Sequence, residues 1–369
     1  MSKGLRIAVN CRSILLTRRT GIGRYTYHLL EALGQIDQAN EYILHTPKAL
    51  FDFKRRLPDF SGYKNLRRYP DYFKQGAGRY DVYHFPCLGD ISSYTGKLVV
   101  TIHDFVYKTW PQTHTPQAVE SMERCMQAVA EKADHIICIS ENTRRDLHRL
   151  YNVAYEKSSV VYNGVDHDMF RPLSSQERLA AAGGLKTLGI ERPYVLYVGT
   201  IEPRKNLDGL LEGFALLKAG KAFDGLLVVA GMKGWMMESL RERIKGLGIE
   251  KDVVFTGFIS DETLRLLYNM AEVFVFPSLY EGFGFPIVEA FCCGAPVVTS
   301  ATSSCAEIAG DAAVTVDPQD TGKIARAMQQ VLTDQTLKKS LQEAGLKRAQ
   351  EFSFLTMARK TLDVYRKIV

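Results

Sequence analysis

Apolar residues fall along this chain in two rhythms. Short unbroken runs of strand length alternate with longer stretches where apolar residues recur every three or four positions, the spacing of a half-buried helix. In the first half the runs are Leu5–Asn10, Glu41–His45, Asp81–Phe85, Leu98–Ile102, His135–Ser140 and Ser159–Tyr162. Helical spacing covers Arg24–Leu33, with Tyr25, Leu29, Leu30 and Leu33 on one side, then Pro116–Ala133 and Asn142–Leu150. Residues 51–80 are basic and aromatic, and their pattern assigns no element. Residues 171–192 hold no strand run and read as a helix-bearing connection. The alternation then restarts, with runs at Tyr194–Val198, Leu226–Ala230, Val253–Phe255, Val273–Phe276, Val297–Thr299 and Val314–Val316. Helices are expected over 206–218, 235–246, 261–270 and 287–293, and the pattern from 321 to 369 is helical throughout.

Strands that are apolar at every position are buried on both faces, and strand–helix alternation builds parallel sheets covered on both sides. Two such series predict an α/β protein of two doubly wound, Rossmann-like domains, 1–172 and 173–353. Ligands of such sheets bind beyond the carboxyl ends of the strands, so two facing domains suggest a site in the cleft between them.

The strand-end segments carry the candidate chemistry. In the stretch 276–298, FPSLYEGFGFPIVEAFCCGAPVV, a strand runs into a loop holding Gly282 and Gly284. Pro286 sits where a helix would start, and Gly294 where it would stop. Strand, glycine loop and helix start form an anion-binding geometry, here framed by Glu281 and Glu289. Their spacing suits hydroxyl binding better than acid/base work. The segment Gly199–Asn206, GTIEPRKN, places Arg204 and Lys205 at a strand-to-helix turn, where a guanidinium fork and a mobile ammonium suit a diphosphate. Asn206 is read as the cap of the helix that follows. In the first half, Gly21-Ile-Gly23 lies between a strand and a helix, but Thr26 stands where a dinucleotide fingerprint needs its third glycine. His103, beside Asp104, and His84 end two strands; a lone histidine there is more often structural. Asp166-His-Asp168 has the form of a metal-binding triplet, but its place after Asn163-Gly164 favours turn chemistry.

Composition narrows the class. The chain has 369 residues, 46% hydrophobic and 24% charged, which is ordinary globular composition. Its seven cysteines include no C-x-x-C pair, so a reduced compartment fits better than a disulfide framework or a zinc site. The start, MSKGLRIAVNCR, reads as a charged strand and not as a signal peptide, and no apolar run approaches the ~20 residues of a membrane span. A cytoplasmic protein is expected. Residues 1–110 hold 17 Lys and Arg against 9 Asp and Glu, a surplus of 8, whereas the whole chain carries +6. This basic front half suits an anionic partner such as a membrane face. Neither a zinc-finger spacing nor an RNA-binding aromatic motif is present, which argues against nucleic acid.

These motifs together make the sequence resemble the large retaining glycosyltransferase family 4, which has the GT-B fold. The resemblance rests on EGFGFPIVE (Glu281–Glu289), GTIEPRKN, TGIGRY (Thr20–Tyr25), TIHDF (Thr101–Phe105) and NGVD (Asn163–Asp166), and runs almost end to end. It implies a second domain that binds a nucleoside diphosphate sugar, with Arg204 and Lys205 on the diphosphate. Gly284, Phe285, Pro286, Ile287 and Val288 would hold the sugar and phosphate with Gly199 and Phe283 nearby, Glu281 the sugar hydroxyls and Glu289 the ribose. Gly257 and Phe258 would line the base pocket. Gly21 and Gly23 would close on the phosphates, and His103 would sit against the transferred sugar. The helix 354–369 would cross back onto the first domain. TGIGRY with TIHDF looks most like the mannosyltransferase-type members that build bacterial cell-surface polysaccharides. That likeness implies GDP-mannose as co-substrate and a glycan or lipid-linked glycan acceptor. Arg204 and Lys205 could neutralise a diphosphate without a metal, so no metal or other cofactor is expected, and the basic front half is consistent with peripheral contact at the inner membrane face. Asn10-Cys-Arg12 departs from a common Asp-Ala-Arg and puts the acceptor in doubt; Cys305 and Gly199-Thr200 also depart from the usual residues. Another nucleotide-sugar donor, a sugar-nucleotide epimerase of the same fold and a non-catalytic nucleotide-sugar binder stay open.

Overall fold

The computed structural model describes residues 4–15, 21–46, 57–70, 80–91, 94, 96–231 and 237–369. Thr20 of TGIGRY, residues 235 and 236 of an expected helix, and Lys3, Arg18, Arg19, Lys48, Lys54, Arg55, Arg56, Lys74 and Arg79 of the basic surplus lie outside them. The chain divides into two compact units: Met1–Gly164 with Ser353–Val369, and Val165–Phe352.

The first unit is built on a sheet of β1 (Arg6–Asn10), β2 (Glu41–Thr46), β3 (Leu66–Pro70), β4 (Val82–Phe85), β5 (Lys97–Ile102), β6 (His135–Cys138) and β7 (Ser158–Val160). Its order is β3-β2-β1-β4-β5-β6-β7, and the pairings are parallel. Both faces are covered, as the unbroken apolar runs require. On one face Ile7 and Val9 pack with Leu29 and Leu33 of the helix Gly21–Ile36 and with Met357 and Leu362 of Phe354–Ile368. On the other, Ala8, Val100 and Ile136 pack with Met126 and Val129 of Pro116–Lys132. Each large side chain so buried contributes about 1.5–3 kcal/mol.

The second unit repeats the plan with β8 (Tyr194–Val198), β9 (Leu226–Ala230), β10 (Val253–Gly257), β11 (Val273–Phe276), β12 (Val297–Ser300) and β13 (Val314–Val316). The order is β10-β9-β8-β11-β12-β13, again parallel. Val195, Tyr197, Val229 and Val275 pack with Leu210 and Phe214 of Leu207–Ala219 and with Ile324 and Met328 of Thr321–Thr333.

Three expectations change. Residues 165–172 belong to the second unit, not the first. Val165 N–H donates to Phe352 O (3.0 Å), and the Asn269 amide takes Leu173 N–H (2.8 Å) and gives to Arg171 O (3.0 Å). Gly21 and Gly23 lie inside the helix Gly21–Ile36 and not in a turn before it. First-turn N–H groups have no intrahelical acceptor, and a glycine leaves them uncovered. The region 321–369 is three helices, because Asp334 and Ser353 each restart the chain by accepting the N–H three residues on, at 2.9 and 3.1 Å.

His84, on β4, is wholly buried between Tyr365 OH and Thr101 Oγ1. Burial pushes its pKa from 6.5 down to about 3, with the charge of His103 as a smaller cause. The unfolded chain therefore takes a proton near pH 6.5 that the folded chain refuses. Stability from this residue is complete above that pH and is lost as pH falls toward 3. Lowering the pH from 7 to 5 should cost on the order of 2 kcal/mol through His84 alone. Urea unfolding at the two pH values checks this; His84→Gln should flatten the dependence, and an unchanged slope would assign it elsewhere.

Candidate functional site

In the second unit the carboxyl ends of β8, β9 and β10 are fastened by backbone. Gly199 N–H donates to Ala230 O (2.9 Å), and Gly231 N–H donates to Gly257 O (3.0 Å). The approach demands glycine at 231, where φ is +146° and a Cβ would stand 2.0 Å from Gly199 O. Gly257 ends β10 at φ +70°, and Phe258 beside it is 65% exposed.

After Gly199 the chain makes a single tight turn, Pro203–Lys205, and Asn206 takes the left-handed conformation at φ 55°. The sequence suggested a helix cap for Asn206, but its side chain makes no capping bond. Its amide donates to Pro277 O (3.1 Å) and Pro318 O (2.6 Å), tying the turn to the segments after β11 and β13.

The turn presents Arg204 and Lys205 to Glu281. Arg204 Nη1 donates to Tyr280 O (2.9 Å) and Glu281 Oε2 (3.0 Å), while Nη2 pairs with Glu202 (2.7 Å). Lys205 Nζ is bound to Glu281 Oε1 and stands 5.1 Å from the centre of the Phe276 ring. Ser278 Oγ also donates to Oε1 (2.7 Å). Glu281 is only 7% exposed. Burial alone would raise its pKa, but Lys205 and Arg204 outweigh it and hold the carboxyl below its usual range. Its backbone is fixed as well: Glu281 N–H donates to Ser303 Oγ (3.1 Å), and the Ser304 hydroxyl lies between the carbonyls of Glu281 (2.8 Å) and Phe283 (3.0 Å), which share its one hydrogen. Ser303 holds this position at φ 54°, a strained value for serine.

The helix after the glycine loop is Phe285–Cys292, with Gly284 before it at φ +100° and no side-chain cap. Pro286 is thus the second helical residue and not the first. It has no N–H, and Ile287 N–H is given to Gly284 O (3.0 Å). Of the amides expected over Gly284–Val288, those of Gly284 and Phe285 stand ahead of the first intrahelical bond. Phe283 is buried edge-on against Phe285 and Phe352, and Ile287 and Val288 are core residues. Glu289, one turn on, is 7% exposed and accepts from Tyr268 OH (3.0 Å).

The first unit carries His103 just beyond β5. Its Nε2 donates to Pro86 O (2.8 Å), and its ring meets that of Tyr25 edge-on at 5.0 Å. Tyr25 belongs to the helix that starts with Gly21 and Gly23, so that helix touches His103 through the Tyr25 ring. Asp166 accepts the N–H groups of Asp168 (3.0 Å) and Met169 (2.9 Å), which closes a turn.

Two family models divide the chain between them. The description "Glycosyltransferase Family 4" matches residues 19–169, and "Glycosyl transferases group 1" matches residues 186–348. The chain belongs to glycosyltransferase family 4. The O-antigen chain mannosyltransferase B of Escherichia coli is 29% identical over 94% of this chain and 96% of its own length. Among solved structures, sucrose-phosphate synthase from Thermosynechococcus elongatus superposes with a TM-score of 0.76 at 23% identity, covering 99% of both chains. HepE of Anabaena, solved with UDP-glucose, gives 0.70 at 17% identity over 98% of this chain and 100% of its own. The fold is GT-B.

The structure brings three of the expected residues, Arg204, Lys205 and Glu281, together, but the residues that support them were not expected. Ser278, Ser303 and Ser304 around Glu281, and Tyr268 on Glu289, carried no motif. The hydroxyl-rich run Thr299–Ser304 after an apolar strand was the available signal.

Asn206 gives a sharp test of this geometry. Asn206→Ala should cost about 1–3 kcal/mol in urea unfolding. Asn206→Asp should cost at least as much although it keeps the shape, because a carboxylate would face two carbonyl oxygens. An aspartate variant as stable as wild type would show that the two donated bonds do not hold the turn.

Proposed function

We propose that this glycosyltransferase moves mannose from GDP-mannose, with retention, onto a glycan acceptor, lipid-linked, in bacterial cell-surface polysaccharide synthesis. The observation that carries donor binding is the pair Arg204 and Lys205, fixed on Glu281 beside the uncapped helix start at Gly284. Cations and backbone N–H groups together suit a diphosphate. A carboxylate offers about four acceptor sites. Lys205, Ser278 and Arg204 take three on Glu281, and the fourth, on Oε2, suits a sugar hydroxyl. Glu289 is assigned to the ribose, Phe258 and Gly257 to the base, and His103 to the transferred sugar. The mannose assignment draws on the E. coli relative, whose name records that sugar; UDP-glucose, named with HepE, is the rival donor.

Retention is assigned to front-face substitution. The acceptor hydroxyl oxygen bonds to the sugar's C1 as the bond from C1 to the diphosphate breaks, and the acceptor proton passes to a leaving phosphate oxygen. Arg204, Lys205 and the N–H groups of Gly284 and Phe285 stabilise the developing charge. The basic first unit is assigned to peripheral contact with an anionic membrane. No helix among the described residues is long and apolar enough to cross one.

A thermal-shift screen of GDP-, UDP-, ADP- and dTDP-sugars tests the donor, since a ligand of the folded state stabilises it by mass action. GDP-mannose should give the largest shift, and a larger one with UDP-glucose would overturn the base and sugar assignment. Lys205→Ala should lower turnover on the order of 10²–10³-fold and weaken donor binding; near wild-type turnover would remove the diphosphate role. Activity should survive EDTA. Loss restored by Mn²⁺ would instead make Asp166 and Asp168 metal ligands.

A further inference from the structure

A line of buried polar side chains crosses the first unit, and apolar packing alone does not explain it. Tyr365, on the helix Phe354–Ile368, places its hydroxyl 2.6 Å from His84 Nδ1. His84 Nε2 is 2.9 Å from Thr101 Oγ1, and that oxygen is 3.1 Å from Tyr25 OH. The Tyr25 ring then meets the His103 ring at 5.0 Å and 87°. Tyr365, His84, Thr101 and Tyr25 are each 2% exposed or less. Polar groups at that depth cost free energy unless they are bonded, so each contact constrains the next.

The hydrogens can be assigned in order. A carbonyl only accepts, so His103 Nε2, 2.8 Å from Pro86 O, carries the hydrogen, and Nδ1 of the neutral ring is the acceptor. Among the described residues Tyr365 OH has one hydrogen-bond partner, His84 Nδ1. The phenol is the more acidic hydroxyl of the line and an imidazole nitrogen its most basic acceptor, so the 2.6 Å contact is Tyr365 O–H donating to His84 Nδ1. His84 Nε2–H then donates to Thr101 Oγ1. Thr101 and Tyr25 share the next hydrogen bond, in which either hydroxyl can be the donor. The His84 tautomer is thus set by a hydroxyl 281 positions along the chain.

We propose that Tyr365 is a positioning residue for His103, acting through His84, Thr101 and Tyr25 to hold the orientation of the imidazole ring, whose tautomer the Pro86 carbonyl sets. The link to turnover rests on the reading of His103 as a group that contacts the transferred sugar. The same line fixes Tyr25 in the first turns of the helix that begins at Gly21, so it orders both candidate elements of this unit.

The test uses the full chain and Tyr365→Phe, which removes one oxygen and keeps the ring. Nitrogen-edited NMR of the histidine side chains should show His84 and His103 both as Nε2–H tautomers in the wild type. In Tyr365→Phe, His84 should become a tautomer mixture and the His103 ring signals should move. GDP release from GDP-mannose in water should fall about three- to tenfold in kcat, with KM within about twofold. On a His103→Ala background the same change should add no further loss, because it acts through the missing ring. Thr101→Val breaks the line at its middle and should reproduce the effect, whereas Thr101→Ser should keep wild-type behaviour. Equal losses on both backgrounds, or unmoved His103 signals in Tyr365→Phe, would overturn the proposal. Full activity in His103→Ala would remove the sugar contact and the link to turnover, while the NMR signals would still decide whether Tyr365 positions the ring.

Discussion

One buried carboxylate organises the candidate site of the second unit. Glu281 is nearly out of water, and a charge there is tolerated only if it is paired and hydrogen-bonded. Arg204 and Lys205 pair with it from the turn after β8, and Ser278 adds a hydroxyl from its own loop. The dependence runs both ways. The two cations are 15% and 12% exposed, and they too need a counter-charge. Glu281 therefore sets where the positive charge of the site lies, and Glu202 balances part of it through Arg204. A strand-end loop with only the cations would spread them into solvent, where they would be screened and mobile.

The sequence showed this architecture well where local pattern and global fold agree. Parallel strands buried on both faces read as unbroken apolar runs, and all six strands expected in the second half are present. β3 escaped because Leu66–Pro70 holds two arginines and a proline and follows an irregular basic stretch. Of the candidate site, Arg204, Lys205, Glu281 and Glu289 were legible because charged residues at the ends of apolar strands stand out. The neighbours that fix them were not. Whether Asn206 caps a helix or bridges two loops depends on carbonyls 71 and 112 residues away. Ser303 and Ser304 likewise act on a backbone some twenty positions earlier. Spacing along the chain carries no trace of such partners.

Both units use the same strategy at different polarity. In the second, a charged side chain is fixed by opposite charges and hydroxyls. In the first, a neutral imidazole is fixed by phenols, a hydroxyl and a second neutral imidazole. Burial depresses the pKa of His103 as it does that of His84, although the Pro86 carbonyl and Asp104 oppose the change. Lone-pair chemistry at His103 therefore persists where an exposed histidine would be charged. Each unit thus carries one kind of polar arrangement, paired charges in the second and neutral hydrogen bonding in the first.

The two bonds from the Asn206 amide bear on the cost of recognition. They pin the turn Pro203–Lys205 to the ends of two other strand segments, so its backbone has few conformations left in the folded chain. Ordering a residue's backbone costs roughly 1–2 kcal/mol. For this turn that entropy is lost once, during folding, and is not charged against each substrate that arrives. An anionic ligand meeting Arg204 and Lys205 has two side chains to redirect and no loop to order.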